Sequence, residues 1–292
     1  MRPTTALGNG TRVRPAYRTI GLTGVLLLFA ATASPAETGP FQLNELDHAL
    51  GEFDEAQRIQ AQEPNRARQL FQSAAQRLHS VQASGITNGR LEYNLGNCYL
   101  QAGDVGRAIL HYRRAQRLIP GNENLASNLE EARSRRLTTI HPTRGSVFLR
   151  SVFFWHFQTS LPGRSRTAVV LYVLTWVLLI VRNFAPRKAV TISAGACALL
   201  TACAAVSVGV THWTDRNAPE GVVTAMDVTV YKGPGEEYER QFEEPLQPGV
   251  EFTLRERRSD WWRVELADGK SGWIEASRAE LIRPTLRKNL RG

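Results

Sequence analysis

The sequence predicts a multidomain membrane protein: an all-α helical-repeat module, then two transmembrane helices, then a small all-β barrel. Three observations predict it. Apolar residues recur at helical spacing from Phe41 to about Arg136, two apolar runs lie between Thr167 and Val210, and the pattern switches to alternation after Trp213. Spacings of three and four residues line one face of a helix, and alternation lines one face of a strand. Roughly 20 apolar residues cross a hydrocarbon core about 30 Å thick.

Charge follows the same divisions. The 292 residues carry +9 in total, with +4 over 1–33, −3 over 34–132, +10 over 133–188 and −2 over 189–292. The basic excess borders the apolar segments, where cations meet anionic headgroups or set topology. A nucleic-acid binder would carry it on a folded domain surface, so no nucleic-acid partner is expected.

Arg12, Arg14 and Arg18 precede an apolar stretch from Ile20 to Ala31, which exits through Ala31-Thr32-Ala33. A basic start, an apolar middle and an A-x-A exit describe a secretory signal peptide over 1–33. An uncleaved anchor would leave the topology downstream unchanged.

Within the helical module, 41–136, the strongest pattern runs from Gly89 to Asn122. Tyr93, Leu95-Gly96, Tyr99, Ala108, Tyr112, Ala115 and Pro120 match the tetratricopeptide repeat, in which a bulky residue precedes L-G-x-x-Y, then A-x-x-x-F and a closing proline. Gly96, Ala108 and Ala115 are small because two antiparallel helices approach closely there. Gly103-Asp104 turns between the helices and Pro120-Gly121 stops the second. Ala67, Phe71 and Ala74 repeat the spacing of Ala108, Tyr112 and Ala115, with Gly51-Glu52-Phe53 as the candidate preceding turn. Leu125, Ala126, Leu129 and Ala132 read as a capping helix. Two repeats and a cap are near the minimum for a stable stack.

The segment 146–166, with Trp155 and His156, is aromatic and basic and is expected at the membrane interface. Transmembrane helices are expected over 167–185 and 189–210, the second free of charge and rich in small residues that pack closely in lipid. Arg182, Arg187 and Lys188 place the loop 182–188 in the cytoplasm by the positive-inside rule. Both folded modules then face the periplasm of a bacterial inner membrane, the chain being multi-pass. Arg133, Arg135, Arg136, Arg144, Arg150, Arg164 and Arg166 argue the other way; the signal segment decides for export. Cys98, Cys197 and Cys203 read as small buried packing residues.

After Trp213, Val228 and Val230, then Val250, Phe252 and Leu254, then Trp262, Val264 and Leu266 alternate with polar residues. Gly233-Pro234-Gly235, Gln247-Pro248-Gly249 and Asp268-Gly269 separate them. Such punctuation predicts a small antiparallel barrel over 220–282, followed by a basic tail, 283–292. The stretch resembles bacterial SH3 domains. Val222-Val223-Thr224 looks like their first strand and Val230-Tyr231-Lys232-Gly233-Pro234-Gly235 like their V-R-x-G-P-G turn. Leu246, Gly249-Val250, Asp260-Trp261-Trp262-Arg263-Val264 and Gly272-Trp273-Ile274 match later strands. Glu275 stands where many such domains carry a proline beside the ligand groove, which speaks against proline-rich peptides.

The order of modules as a whole resembles the BatE-like proteins of aerotolerance (Bat) operons. The resemblance implies partners rather than chemistry: membrane proteins with von Willebrand factor A domains and a MoxR-type ATPase, acting in stress tolerance.

His48, His79, His111, His141, His156 and His212 are scattered, with no H-E-x-x-H or C-x-x-C spacing, no G-x-S-x-G elbow and no phosphate-binding glycine loop. No enzyme activity, metal or cofactor is expected. Arg90, Tyr93, Asn97 and Gln101 form one stripe of the first repeat helix. In tetratricopeptide repeats this stripe lines the concave groove, where an Asn amide holds a partner's backbone and Arg pairs with a carboxylate. In the alternative reading Tyr93 packs against the preceding repeat and the others are solvated. Tyr231, Tyr238 and Trp261 are the ligand-binding candidates on the SH3-like surface, while Trp262 and Trp273 read as core. The expected function is a non-enzymatic scaffold that binds other envelope proteins and membrane lipid. The alternative is a cell-wall sensor whose SH3-like domain binds peptidoglycan peptides.

Overall fold

A computed structural model of the chain describes residues 40–86, 88–138 and 159–283. The signal segment 1–33, the interfacial segment up to residue 158 and the tail beyond Arg283 lie outside the described residues.

The first helical pair is α1 (Pro40–Ile59) and α2 (Pro64–Ala83). Gly51-Glu52-Phe53 is not a turn but lies inside α1. A Cβ at Gly51 would meet nothing within 4 Å, so the glycine is solvent-facing and merely tolerated. The break comes at Pro64, placed in the first turn of α2, where its missing N–H leaves no bond unmade. Phe53 and Phe71 close the pair edge to face, 5.2 Å between centroids, over buried Ala56 and Ala67.

The second pair, α3 (Gly89–Ala102) and α4 (Val105–Leu118), follows the expected repeat. The Asn88 side chain accepts from the Leu91 N–H and that of Asp104 from the Arg107 N–H, so each helix starts on a capped donor. Gly103 ends α3 in the left-handed region, φ +85°, which a side chain would resist. At Gly96 a Cβ would collide with the ring of Tyr112, itself fully buried; this close approach is why the position is glycine. The capping helix α5 (Glu123–Ser134) opens on Asn122, whose side chain accepts from the Leu125 N–H at 2.9 Å.

Among the described residues two helices are long and apolar enough to cross a membrane: α6 (Leu161–Phe184) and α7 (Lys188–Asn217). Both exceed the expected bounds. Ser160 caps the Gly163 N–H and Pro162 occupies the first turn, so 161–166, expected at the interface, is already helix. At the other end α7 continues past Val210 to Asn217. The helices pack through Ala194, Cys197, Thr201 and Ser207 on α7, with Cys197 Sγ donating to the Leu171 carbonyl at 3.4 Å. Cys203 lies off that stripe and is exposed, against the expectation of burial.

The β module is a five-stranded antiparallel sheet in the order β4-β3-β2-β1-β5. Its strands are β1 (Glu220–Val223), β2 (Glu251–Arg258), β3 (Trp261–Leu266), β4 (Ser271–Glu275) and β5 (Ala279–Leu281). Gly269, φ +89°, makes the β3–β4 turn. Val228 and Val230 do not form the expected strand: pairing there is by isolated bridges, Val228 to Leu246 and Tyr231 to Trp273. Asp227 at φ +53° interrupts the extended backbone before it can lengthen. Both valines are nonetheless buried, in one core with Val223, Phe252, Val264 and Ile274. Val222 and Ile282 instead join the core of α4 and α5, so the helical and β modules share apolar contacts.

Candidate functional site

The repeat stripe is divided by the structure. Asn97 Oδ1 accepts from the Tyr112 hydroxyl at 2.8 Å and from Asn128 Nδ2 at 3.0 Å. Asn128 Nδ2 also donates to the Tyr93 hydroxyl at 2.9 Å. Tyr93 and Asn97 therefore face the capping helix in an internal network, half-buried. Gln101 accepts from Gln60 Nε2 at 3.3 Å, across to the end of α1. Arg90 is exposed.

On the β module, Tyr231 and Trp261 meet edge to face at 5.6 Å, both half-buried, while Tyr238 is exposed over Gly233. Trp273 is 6% exposed and sits in the core, with the Arg258 guanidinium 5.4 Å above its ring. Trp262 packs against the core from its edge. Tyr231 and Trp261 thus form one aromatic pair at the surface, while Trp273, read as core, is buried.

Comparison with family models agrees with both modules. The model for the tetratricopeptide repeat matches residues 90–122 and that for the bacterial SH3 domain matches residues 225–279. Those two stretches are a tetratricopeptide repeat and a bacterial SH3 domain. No curated protein and no solved structure matches it. Both module types point to binding, of proteins or of peptidoglycan.

The SH3 module docks on the second repeat helix and the cap through an arginine cluster that sequence reasoning missed. Glu251 of β2 is held by Arg133 (Nε to Oε1, 2.8 Å), by Arg113 (Nε to Oε2, 3.0 Å) and, more distantly, by Arg136 at 3.9 Å. Arg113 also donates to Glu220 at 2.6 Å, and Arg114 to the Leu281 and Ile282 carbonyls at 2.9 and 3.1 Å. Burial alone would raise the Glu251 carboxyl, but Arg113, then Arg133 and Arg136, outweigh it and hold it below the usual carboxylate range. Arg133 and Arg136, which in sequence read as topology signals, here join two modules.

A second missed feature is a chain of buried polar groups between α2, α3 and α4. His111 Nδ1 donates to Glu92 Oε2 at 2.7 Å, both side chains almost wholly buried. Gln82 Nε2 donates to the other Glu92 oxygen at 2.7 Å. That orientation leaves Gln82 Oε1 to accept from His79 Nδ1 at 3.2 Å, and His79 Nε2 to accept from the Tyr99 hydroxyl at 2.8 Å. The Tyr99 ring stacks on His111 at 5.3 Å. Burial lowers the His111 imidazolium despite the opposing bond to Glu92. Every member is satisfied, so the network rigidifies the repeat rather than straining it. Among the described residues no group of three or more His, Cys, Asp or Glu is arranged to hold a metal ion.

Proposed function

We propose that the chain is a non-enzymatic scaffold anchored in the bacterial inner membrane, which holds partner proteins through its repeat groove and SH3 module. In this reading α6 and α7 cross the bilayer as a hairpin, with the loop 182–188 in the cytoplasm. Both modules then face the periplasm, and the β strands curl into a small barrel closed by the Tyr231–Trp273 bridge.

One observation carries the reading. α7 leads directly into β1, and Asp215 near its end receives Arg117 of the repeat at 2.5 Å and Arg283 after β5 at 2.8 Å. Both modules are thus tied to one end of the hairpin, while Arg182, Arg187 and Lys188 lie at the other. Ile192, Leu199 and Val206 on α7 and Val170 and Ile180 on α6 are each more than half exposed, which supports a lipid-facing surface. Tethering two binding modules at one membrane site raises their effective concentration for a shared partner. The order of modules, resembling that of Bat proteins, favours von Willebrand factor A-domain membrane proteins and a MoxR-type ATPase system as partners. Purification of the full chain in mild detergents tests this. Recovery with a von Willebrand factor A-domain protein is the expected result, and a lone polypeptide in every detergent contradicts it.

The half-buried Tyr231–Trp261 pair and the exposed Tyr238 favour a second reading, in which the SH3 module binds peptidoglycan peptides. Retention on purified sacculi that is lost with Trp261→Ala supports that reading over the scaffold.

A further inference from the structure

Two cavities adjoin where the repeat meets the base of the hairpin, and they share Pro120, Thr159 and Arg164. The outer one, about 650 Å³, is mostly apolar and runs between Leu118 and Ile119 of the repeat, Thr167 of α6 and Ala204 of α7. The inner one, about 260 Å³, is mixed in character, and its charged and polar walls include Arg113, Arg117, Arg164, Thr214, Asp215 and Glu220.

The charge around the inner cavity is positive in excess. Asp215 is one carboxylate between two guanidinium groups, Arg117 and Arg283. Among the described residues Arg117 engages both oxygens of Asp215 through Nη2. Arg164 is turned inward on α6, 9% exposed, with Nη1 donating to Ser207 Oγ at 2.9 Å. Planar guanidinium forks suit phosphate oxygens. The position matters equally: Thr167 begins the apolar run of α6 and Ala204 lies near the end of that of α7. The cavities therefore straddle the headgroup boundary of the bilayer, an inference that rests on the membrane-crossing reading above.

We propose that this pair of cavities binds one anionic phospholipid, its phosphate among Arg117 and Arg164 and an acyl chain along the outer cavity. The lipid would tie the repeat to the hairpin at the point where both meet the membrane surface.

The test uses the full chain, reconstituted in vesicles of equal phosphatidylglycerol and phosphatidylcholine, extracted into mild detergent and weighed by native mass spectrometry. One phosphatidylglycerol should stay bound in preference to phosphatidylcholine, by about fivefold for each arginine in contact. Arg164→Gln should reduce that preference. Ala204→Trp, which fills the outer cavity and leaves every arginine in place, should expel the lipid, and Arg182→Gln at the far end of the hairpin should change nothing. Equal retention of the two lipids, or a preference that survives both Arg164→Gln and Ala204→Trp, overturns the proposal. An alkaline carbonate wash separates the two inferences. Release of the chain from vesicles contradicts the membrane reading, whereas a chain that stays embedded without lipid preference contradicts the site alone.

Discussion

Arg133 and Glu251 meet as a two-bond fork, Nε to Oε1 at 2.8 Å and Nη2 to Oε2 at 3.1 Å, joining the capping helix to the first long strand of the SH3 module. Around that fork Arg113 and Arg136 converge on the same carboxylate. The two modules are therefore held by charge as well as by the apolar contacts of Val222 and Ile282.

Glu251→Gln removes the carboxylate shared by three guanidinium groups, of which Arg113 keeps Glu220 as a counter-charge. Fully buried pairs lose 3–5 kcal/mol when one partner goes, and exposed ones little, so this part-exposed pair should lose about 2 kcal/mol. Because the folded carboxyl lies below its unfolded value of 4.5, the contribution is present above that pH and lost as pH falls through the folded value. Thermal unfolding in detergent, with and without acid, measures both effects. A variant as stable as the parent at neutral pH contradicts the docking role.

His111 gives a separate pH dependence. Burial keeps it neutral in the fold, while the unfolded chain takes up a proton near 6.5. Stability is therefore full above that pH and declines below it, toward a slope of ~1.4 kcal/mol per pH unit for one proton. His111→Gln should flatten the fall of the unfolding midpoint as pH drops below 6.5, where Glu251 stays ionised. A slope unchanged in the variant contradicts the assignment.

Gly96→Val should be among the more damaging changes in the repeat. Its side chain would have to displace the fully buried Tyr112 ring, which also donates to Asn97. Overpacking of this kind costs about 1–3 kcal/mol. Helix content against temperature by circular dichroism measures it, and an unchanged midpoint would show that the two helices separate freely.

These changes mark where the sequence was legible. The close helix approach at Gly96 and the Gly103-Asp104 turn depend on local spacing, which a single helix pair expresses. The Glu92–His111 bond joins neighbouring helices through two polar residues on faces that otherwise pack apolar ones, and nothing in their spacing announces it. Arg133 and Glu251 lie 118 residues apart, so only the docked modules bring them together. Asn128 closes on Tyr93 and Asn97 for the same reason: the tilt of the capping helix is a tertiary fact. Alternation at Val228 and Val230 correctly marked buried residues but not a strand, because burial alternates wherever backbone is extended, paired or not.

Trp261 and Trp273 separate surface from core. Trp273→Ala removes a nearly buried ring and should cost about 3–5 kcal/mol. Trp261→Ala removes a half-buried ring whose main aromatic neighbour is Tyr231, and should leave the module folded while weakening ligand retention several-fold. Parallel unfolding and binding curves check the pair; equal destabilisation by both would place Trp261 in the core.

Cysteine labelling in intact spheroplasts asks most directly whether α6 and α7 cross the membrane with both modules outside. The native Cys98 thiol is buried and pushed up to about 12 by that burial, so it stays silent at neutral pH. A membrane-impermeant maleimide should label Tyr238→Cys at once and Arg187→Cys only after the membrane is opened. Equal labelling of both in sealed spheroplasts, or labelling of Arg187→Cys alone, would contradict the topology on which the scaffold rests.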